Sequence, residues 1–542
     1  MTHAPPPPLH GGAVSGPLGR RFGALLLLGL SASCGPNFGL LPKGSLIDTG
    51  GAEDGGGGGG GGGGNGRDAD GDGYRASDDC NDEEPSIFPG ADERCNGLDD
   101  DCDGEVDEPG DVIDGVAAYE DRDEDGWGAS DTPVRVCALG PGLATNGFDC
   151  DDADPTEPIV VDITYGSATG TGSADSPLDR IQAGIDLAQG CVLVEEGYYF
   201  EALNFGGKNI SVRALGGPSV TTLKATEYGV PAVTFANGEG AGAVLEGFRV
   251  RDGEGASETT SALRDCGSVA TCTDYTTTIC GGGVYSLGSS PTIRDVWLDG
   301  NNLPPFSNTT SGNDTYTTAS FGGGGCFIGS GARLEGVRIA ANSADQGAGL
   351  FIDETSAVEL VNVIFADNIA TEGGALRVDG GSVSVIGSAF GWNTATAEGA
   401  AIGATGGVIS LSNVTVAANS SPGGALRFEG SAATLVNVIS TGNPTGAGVV
   451  ATDGAAPTFS YSLLFGDAGG VVSGLSDPTG SAGNIGGDPQ LSGLSADGDL
   501  NNDSWAPAGG SPAIDAGDPG SGFNDSDGSR ADIGATGGPQ GL

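Results

Sequence analysis

Basic residues are scarce in this sequence. Lys and Arg together number 21 against 73 Asp and Glu, a formal net charge of -52 over 542 residues. Nucleic acid and anionic membrane surfaces both require clustered Lys and Arg, so neither suits the folded surface as a partner. Hydrophobic residues make up 37%, low for a compact domain but enough for an elongated repeat in which each unit buries a narrow stripe. There is no CxxC pair and no Cys–His zinc arrangement. The longest N-terminal apolar run, Phe22 to Leu30, falls well short of the ~20 residues that cross a bilayer.

What is abundant is glycine, 104 residues of it, and much of it is periodic. Between Phe321 and Val450 a small-residue cluster returns at Gly347–Leu350, Gly373–Leu376, Gly399–Ile402, Gly423–Leu426 and Gly446–Val449. An Asn recurs in step at 342, 368, 393, 419 and 443, intervals of 26, 25, 26 and 24 by subtraction. Such a period signals a solenoid. Eight residues before each Asn stand Leu334, Leu360, Val385, Leu411 and Leu435. Five before stand Val337, Val363, Ser388, Val414 and Val438, and three before stand Ile339, Phe365, Phe390, Val416 and Ser440. Alternation broken by one step of three describes short strands joined by a tight bend. Stacked about 4.8 Å apart, these positions form interior ladders, with the Asn side chains as an amide ladder at a corner. The fold class expected is all-β, a single-stranded parallel β-helix over 157–485. The pattern resembles right-handed β-helices of the pectin-lyase-like kind.

The N-terminus carries an export signature. Arg20-Arg21 precedes the apolar run, which fits the hydrophobic region of a signal peptide over 1–33. Ser31-Ala32-Ser33 before Cys34 resembles a bacterial lipoprotein processing site, although the usual Leu stands one place early, at Leu30. The resemblance implies lipidation of Cys34 and a membrane partner through that anchor, at the bacterial cell surface or outer membrane; plain secretion is the alternative. Residues 34–66, with the glycine run Gly55–Gly64, then form a flexible tether.

From 67 to 156 the composition turns to Asp, Gly and Cys. Asp68, Asp70 and Asp72 precede Gly73, with Asp79 at position 12 of the frame. This alternate-residue spacing turns oxygen ligands around one hard cation, so Ca2+ is the expected, structural cofactor. Asp99, Asp101 and Asp103 repeat the frame, as do Asp121, Asp123 and Asp125. Neither has an acid at position 12 (Gly110 and Thr132), so a distant ligand is needed: Asp107 for the second loop, Asp149 and Asp151 for the third. No helix can enter the first loop from the glycine tether, so the loops are closer to dockerin or thrombospondin type 3 repeats than to EF-hands. The stretch from Asp68 to Glu108, with Cys80, Cys95 and Cys102 interleaved, resembles the metal-binding repeats of bacterial surface proteins named after the copper-binding protein MopE. A partial second copy runs from Asp121 to Asp152. Copper prefers nitrogen and sulfur, and these candidate ligands are carboxylates, so calcium is retained.

Eleven cysteines less Cys34 leave ten in an oxidising compartment. Cys137 with Cys150 is a short candidate pair, and one of Cys80, Cys95 and Cys102 must look elsewhere. Cys266, Cys272, Cys280 and Cys326 suit two bridges, and Cys191, in an apolar strand, reads as a core residue.

Ser176 as N-cap, Pro177 at N1 and apolar residues at 178, 181, 185 and 188 predict one amphipathic helix that caps the first rung. Two early rungs, carrying Leu245, Phe248 and Val250, then Ile293, Val296 and Leu298, are each followed by an insertion, 254–280 and 302–320. Both leave the same corner, so they are expected side by side as a lobe. The tail, 486–542, with Ser511–Gly517 and Asp525–Ala535, resembles the choice-of-anchor Q segment of bacterial surface β-helix proteins and is expected as a terminal cap. Asp497, Asp499, Asn501 and Asp503 also have calcium-loop spacing.

The fold is shared with polysaccharide lyases and hydrolases, which need a base or converging carboxylates on neighbouring rungs. Arg377 and Asp379 are separated from Arg427 and Glu429 by a rung bearing only Gly403 and Thr405, and Asp353 reads as a solvated charge. Arg249, Arg251 and Asp252 are the best catalytic candidates remaining. Fold alone does not license an activity. The reading preferred is a non-catalytic, calcium-stabilised surface lipoprotein whose rod presents loops to an extracellular glycan or surface protein; the alternative is a polysaccharide lyase or glycoside hydrolase.

Overall fold

The computed structural model describes residues 68–129, 133–150, 155–226, 229–264, 272–495, 497 and 499–542. Cys34, the expected signal segment and the tether lie outside the described residues.

The chain is nearly all β, built from parallel strands stacked rung on rung. One sheet has 18 strands and a second has 10. A representative rung runs through Leu350–Ile352, Ala357–Val361, Ile364–Ala366 and Ile369–Glu372. The step of three in the sequence pattern is a left-handed residue at the bend: Asn362 has φ 54° and Asp367, at the next corner, φ 54°. Asn and Asp tolerate this conformation because their short polar side chains bond locally.

The predicted ladders are in register. Leu334 pairs with Leu360, Leu360 with Val385, Val385 with Leu411 and Leu411 with Leu435, all fully buried. Phe365 and Phe390 stack at 4.6 Å. Ser388, the polar exception, is satisfied because its hydroxyl donates to the Ile386 carbonyl and accepts from the Val363 N–H.

The Asn ladder runs from Asn301 through Asn342, Asn368, Asn393 and Asn419 to Asn443. Asn301 Oδ1 accepts from the Gly253 N–H, and each later Oδ1 accepts two bonds from the preceding Asn, from its backbone N–H and its Nδ2; for Asn393 these measure 3.1 and 2.9 Å from Asn368. The Nδ2 also donates to a backbone carbonyl of the rung before, as Asn393 does to Phe365 at 3.0 Å. The ladder ends on a carboxylate. Asp467 Oδ1 accepts from the Asn443 N–H and Nδ2, and Oδ2 accepts from Ser440. Burial pushes the Asp467 carboxyl up from its usual range, against those hydrogen bonds.

Three sequence expectations change. The helix spans Ile181–Leu187, and Arg180, not Ser176, is its N-cap. Ser176 instead closes a turn with Ser173, and Leu178 bridges to Val161, which keeps 176–180 extended. The cap is supplied from a distance: both Glu201 carboxylate oxygens accept from the N–H groups of Ile181 and Gln182. Leu178, Ile181, Ile185 and Ala188 are buried as the pattern required. Gly184 sits where a Cβ would collide with Val161 and Val192, so the helix packs closely on the first strands.

Cys137 bonds to Cys95, and Cys150 to Cys191, in place of a Cys137–Cys150 pair. Cys191 is buried, as expected, but it is half of a bridge fastening the Asp/Cys segment to the strand Cys191–Val194. Cys80 pairs with Cys102 and Cys280 with Cys326. Cys272 is disulfide-bonded, while Cys266 lies outside the described residues.

The tail does not sit on the end of the stack. It returns along one flank, over outward residues that pair in column: Ala389, Thr415, Ile439 and Leu463. Trp505 packs with Ala389, Ala417 and Ala535, and Ala513 and Ile533 pack on Ile439 and Leu463. The Ala535 N–H donates to Thr415 Oγ1 at 2.9 Å, and the Asp518 N–H to Asn437 Oδ1 at 2.7 Å.

Two outcomes are expected. Asn393→Ala strips acceptors from Asn368 and a donor from the Phe365 carbonyl, and costs at least about 2 kcal/mol in denaturant unfolding. Asp467 holds its proton more tightly folded than unfolded, so its contribution favours folding at acid pH and declines as pH rises above 3.8 through the raised folded value. Asp467→Asn is therefore expected to raise the melting temperature at neutral pH, and the difference closes as the pH falls.

Candidate metal centres

The three Asp frames are loops in which each turn residue accepts hydrogen bonds from the backbone. In the first, Asp68 Oδ1 accepts from the Gly71 N–H at 2.7 Å and Asp72 Oδ1 from the Tyr74 N–H at 2.8 Å. Asp70 and Asp79 likewise commit Oδ1 to the N–H groups of Asp72 and Asn81. The Oδ2 atoms of Asp70, Asp72 and Asp79 are buried and have no hydrogen-bond partner. These three residues bring carboxylate oxygens within 4.8 Å of one another, and Asp82 makes a similar group with Asp68 and Asp70. Buried anionic oxygens without donors are costly, and a shared hard cation would compensate them. Burial, with the charges of Asp72, Asp79 and Asp68 nearby, pushes the Asp70 carboxyl up.

The second loop brings together Asp101, Asp103 and Glu108, and Asp99 and Asp101 with Glu93. Both Glu108 oxygens are buried and unpartnered. Here the sequence reading needs correction. Asp107 was the expected distant ligand, but its carboxylate caps the N–H groups of Asn96 and Gly97. Its backbone, at φ 53°, makes a turn, and Glu108 is the residue whose carboxylate joins Asp101 and Asp103. Glu93, almost fully buried, accepts from the Asp101 and Asp107 N–H groups and braces the loop.

In the third loop, Asp121 Oδ1, Asp123 Oδ2 and Asp125 Oδ2 are buried without a partner. Burial first, and the Asp123 and Asp121 charges next, push the Asp125 carboxyl up. The strand Trp127–Ala129 leaves this loop and pairs with Asn146–Asp149, setting Ala129 opposite Asp149, which is buried. Asp151 lies outside the described residues. The donor set in all three loops is carboxylate oxygen, suited to calcium rather than copper or zinc.

The catalytic candidates are paired off. Arg249 makes a bidentate bond to Asp299 at 2.8 and 2.6 Å. Asp252 meets Lys224 at 3.0 Å and Arg251 at 3.7 Å. Arg377 is buried between Asp379 and Glu372, and Arg427, half-buried, lies between Glu398 and Glu429. Asp353 closes a turn through Gly329, Thr355 and Ser356, and these bonds hold its carboxyl low despite its burial. In the C-terminal frame, Asp497 and Asp499 accept from the N–H groups of Asp499 and Asn501 within their own loop.

The two insertions form one four-stranded sheet, in the order Ala256–Arg264, Cys272–Cys280, Asp314–Phe321, Ser307–Ser311. The hairpins join through the parallel pairing of their inner strands, and Tyr275 stacks on Tyr316 at 5.0 Å.

Comparison with known proteins agrees with the site. Residues 79–108 match the family model described as "Putative metal-binding motif", the MopE-type repeat. No curated protein matches the chain. Among solved structures, the chain is similar to the native GH136 lacto-N-biosidase from Eubacterium ramulus, with 12% identity, a TM-score of 0.22 and coverage of 60% of this chain and 62% of that one. The selenomethionine derivative of the same enzyme gives 9% identity and a TM-score of 0.20, covering 61% and 67%. The chain thus spans about three fifths of that enzyme's length in the first alignment. The part of the chain that resembles a known family is the metal-binding motif.

Proposed function

We propose that this chain is an exported bacterial surface lipoprotein, anchored through Cys34, whose 67–156 segment is stabilised by calcium and whose right-handed β-helix presents the paired insertions for adhesion or glycan binding. The boundaries follow the sequence: signal peptide 1–33, tether 34–66, metal-binding repeats 67–156, β-helix 157–485, and a choice-of-anchor Q-like tail 486–542. The observation that carries the reading is the buried, donor-less carboxylate oxygens turned together in the first Asp loop, with the donor-less Glu108 carboxylate set against Asp101 and Asp103 in the second. The neighbouring disulfide from Cys150 to Cys191 makes an ordered loop module part of the rod's foundation. A non-catalytic role is favoured because Arg249, Arg251 and Asp252 are each engaged by an opposite charge.

Removing the metal tests this directly. In the secreted chain with disulfides intact, EDTA is expected to lower the melting temperature and calcium to restore it, with magnesium a poor substitute. Glu108→Gln is expected to weaken calcium binding by calorimetry about tenfold, whereas Asp107→Asn weakens it far less. No calcium binding by the intact chain would remove the reading. For the anchor, Cys34→Ala is expected to abolish labelling by a radiolabelled fatty acid and release the protein from the membrane fraction; an unlabelled wild type leaves secretion in its place.

A further inference from the structure

Outside the Asp loops and the lobe, the first rungs carry a column of outward residues unlike the rest of the rod. Arg249 pairs with Trp297 and Trp297 with Arg338 on successive rungs. The Trp297 ring lies between the two guanidinium groups, 5.9 Å from Arg249 and 5.0 Å from Arg338. Further along the same column the next outward residues, Ile364 and Ala389, are apolar and the tail covers them. The covering stops at Arg338, whose Nη1 donates to Asn501 Oδ1 at 2.6 Å. Where it stops, a cleft of about 390 Å³ opens between the rod and residues 499–501.

We propose that this cleft is a binding site for a neutral glycan, one or two sugar units in size. Its floor is Ala340 and Ala341, small residues that leave room, and its walls are Trp297, Arg338, Asp367 and Asn501. Planar donors and acceptors around an apolar floor and an indole match the alternating hydroxyls and C–H faces of a pyranose. The volume is at the lower end of ligand pockets, which sets the size of the occupant.

Charge selects the neutral class. Arg249 and Asp299 cancel one another through their bidentate pair. That leaves the Arg338 guanidinium against two carboxylates, Asp367 and Asp499. The surplus is negative, so a uronate- or sulfate-bearing ligand is repelled while a polyol is not. Arg338 makes no ion pair among the described residues, and beyond the bond from Nη1 to Asn501 its guanidinium donors gain from a new acceptor. The Asp367 carboxyl is pushed up by burial and by Asp503 beside it.

The site is separate from the three N-terminal Asp loops, and it is tested on the full secreted chain both with calcium and with EDTA, because Asp499 and Asn501 also belong to the C-terminal frame of calcium-loop spacing. Lactose, cellotriose, xylotriose, N,N′-diacetylchitobiose and trigalacturonate are titrated calorimetrically. At least one neutral sugar is expected to bind, with trigalacturonate weaker than that sugar. Arg338→Ala and Ala340→Leu are each expected to weaken it about tenfold or more, with Asn501→Ala as a third variant that leaves the rod itself untouched. Thr278→Ala, on the exposed lobe, is expected to leave affinity unchanged. The proposal is overturned if no neutral sugar in the set binds, if trigalacturonate binds best, or if folded Arg338→Ala and Ala340→Leu bind as wild type does.

Discussion

The rod depends on one repeated interaction, the buried amide of the corner Asn. Each backbone N–H at that corner points into the interior, where no water can receive it, and an unpaired donor there costs ~1–3 kcal/mol. The Asn side chain of the next rung accepts that bond, accepts a second from the neighbouring amide, and donates to a carbonyl behind it. Only Asn offers donor and acceptor at this length. A rung can therefore vary in its loops only if its chain returns to put an amide, or at the end the Asp467 carboxylate, beside the last one. From Asn342 to Asn443 the intervals stay between 24 and 26 residues, whereas the insertion 302–320, which leaves after Asn301, stretches the Asn301–Asn342 interval to 41 without breaking the ladder.

The interior was legible because it repeats. Leu360 or Val414 alone says little, but five residues in step at a fixed offset from an Asn describe a ladder. The clustering of Asp70, Asp72 and Asp79 was legible because these carboxylates follow a local spacing. What escaped were contacts between distant segments. Glu201 caps the helix from beyond its C-terminal end, whereas Ser176 had the local signature of a cap and was used in a turn. Glu108 displaced Asp107 because a left-handed backbone at Asp107 turns its side chain toward Asn96, a conformation that composition does not announce. Cys150 found Cys191 across the boundary between segments. One clue to the tail was available: Ala389, Ile439 and Leu463 are apolar at outward positions, and an apolar outward column on a solenoid demands a cover.

The surface chemistry is unevenly placed. The middle rungs present few charges, and their arginines Arg377 and Arg427 are each held by two carboxylates. Among the described residues most buried carboxylate oxygens without donors belong to the loops before the rod, and the flat polar sheet and the Arg–Trp–Arg column belong to its early rungs. A repeat built on interior ladders leaves its outward positions unconstrained, so chemistry can accumulate at one end while the remainder serves as length.

The returning tail turns that length into a measured quantity. Asn501 meets Arg338, Trp505 meets Trp392, Asp518 meets Asn437 and Ala535 meets Thr415. An open solenoid can gain or lose a repeat by recombination and still close its ladders. This one would slide its tail past its partners by a whole rung, placing Trp505 over a different floor than Gly391. The tail behaves as a gauge laid against the rod, and the number of repeats between Arg338 and Leu463 is locked to it.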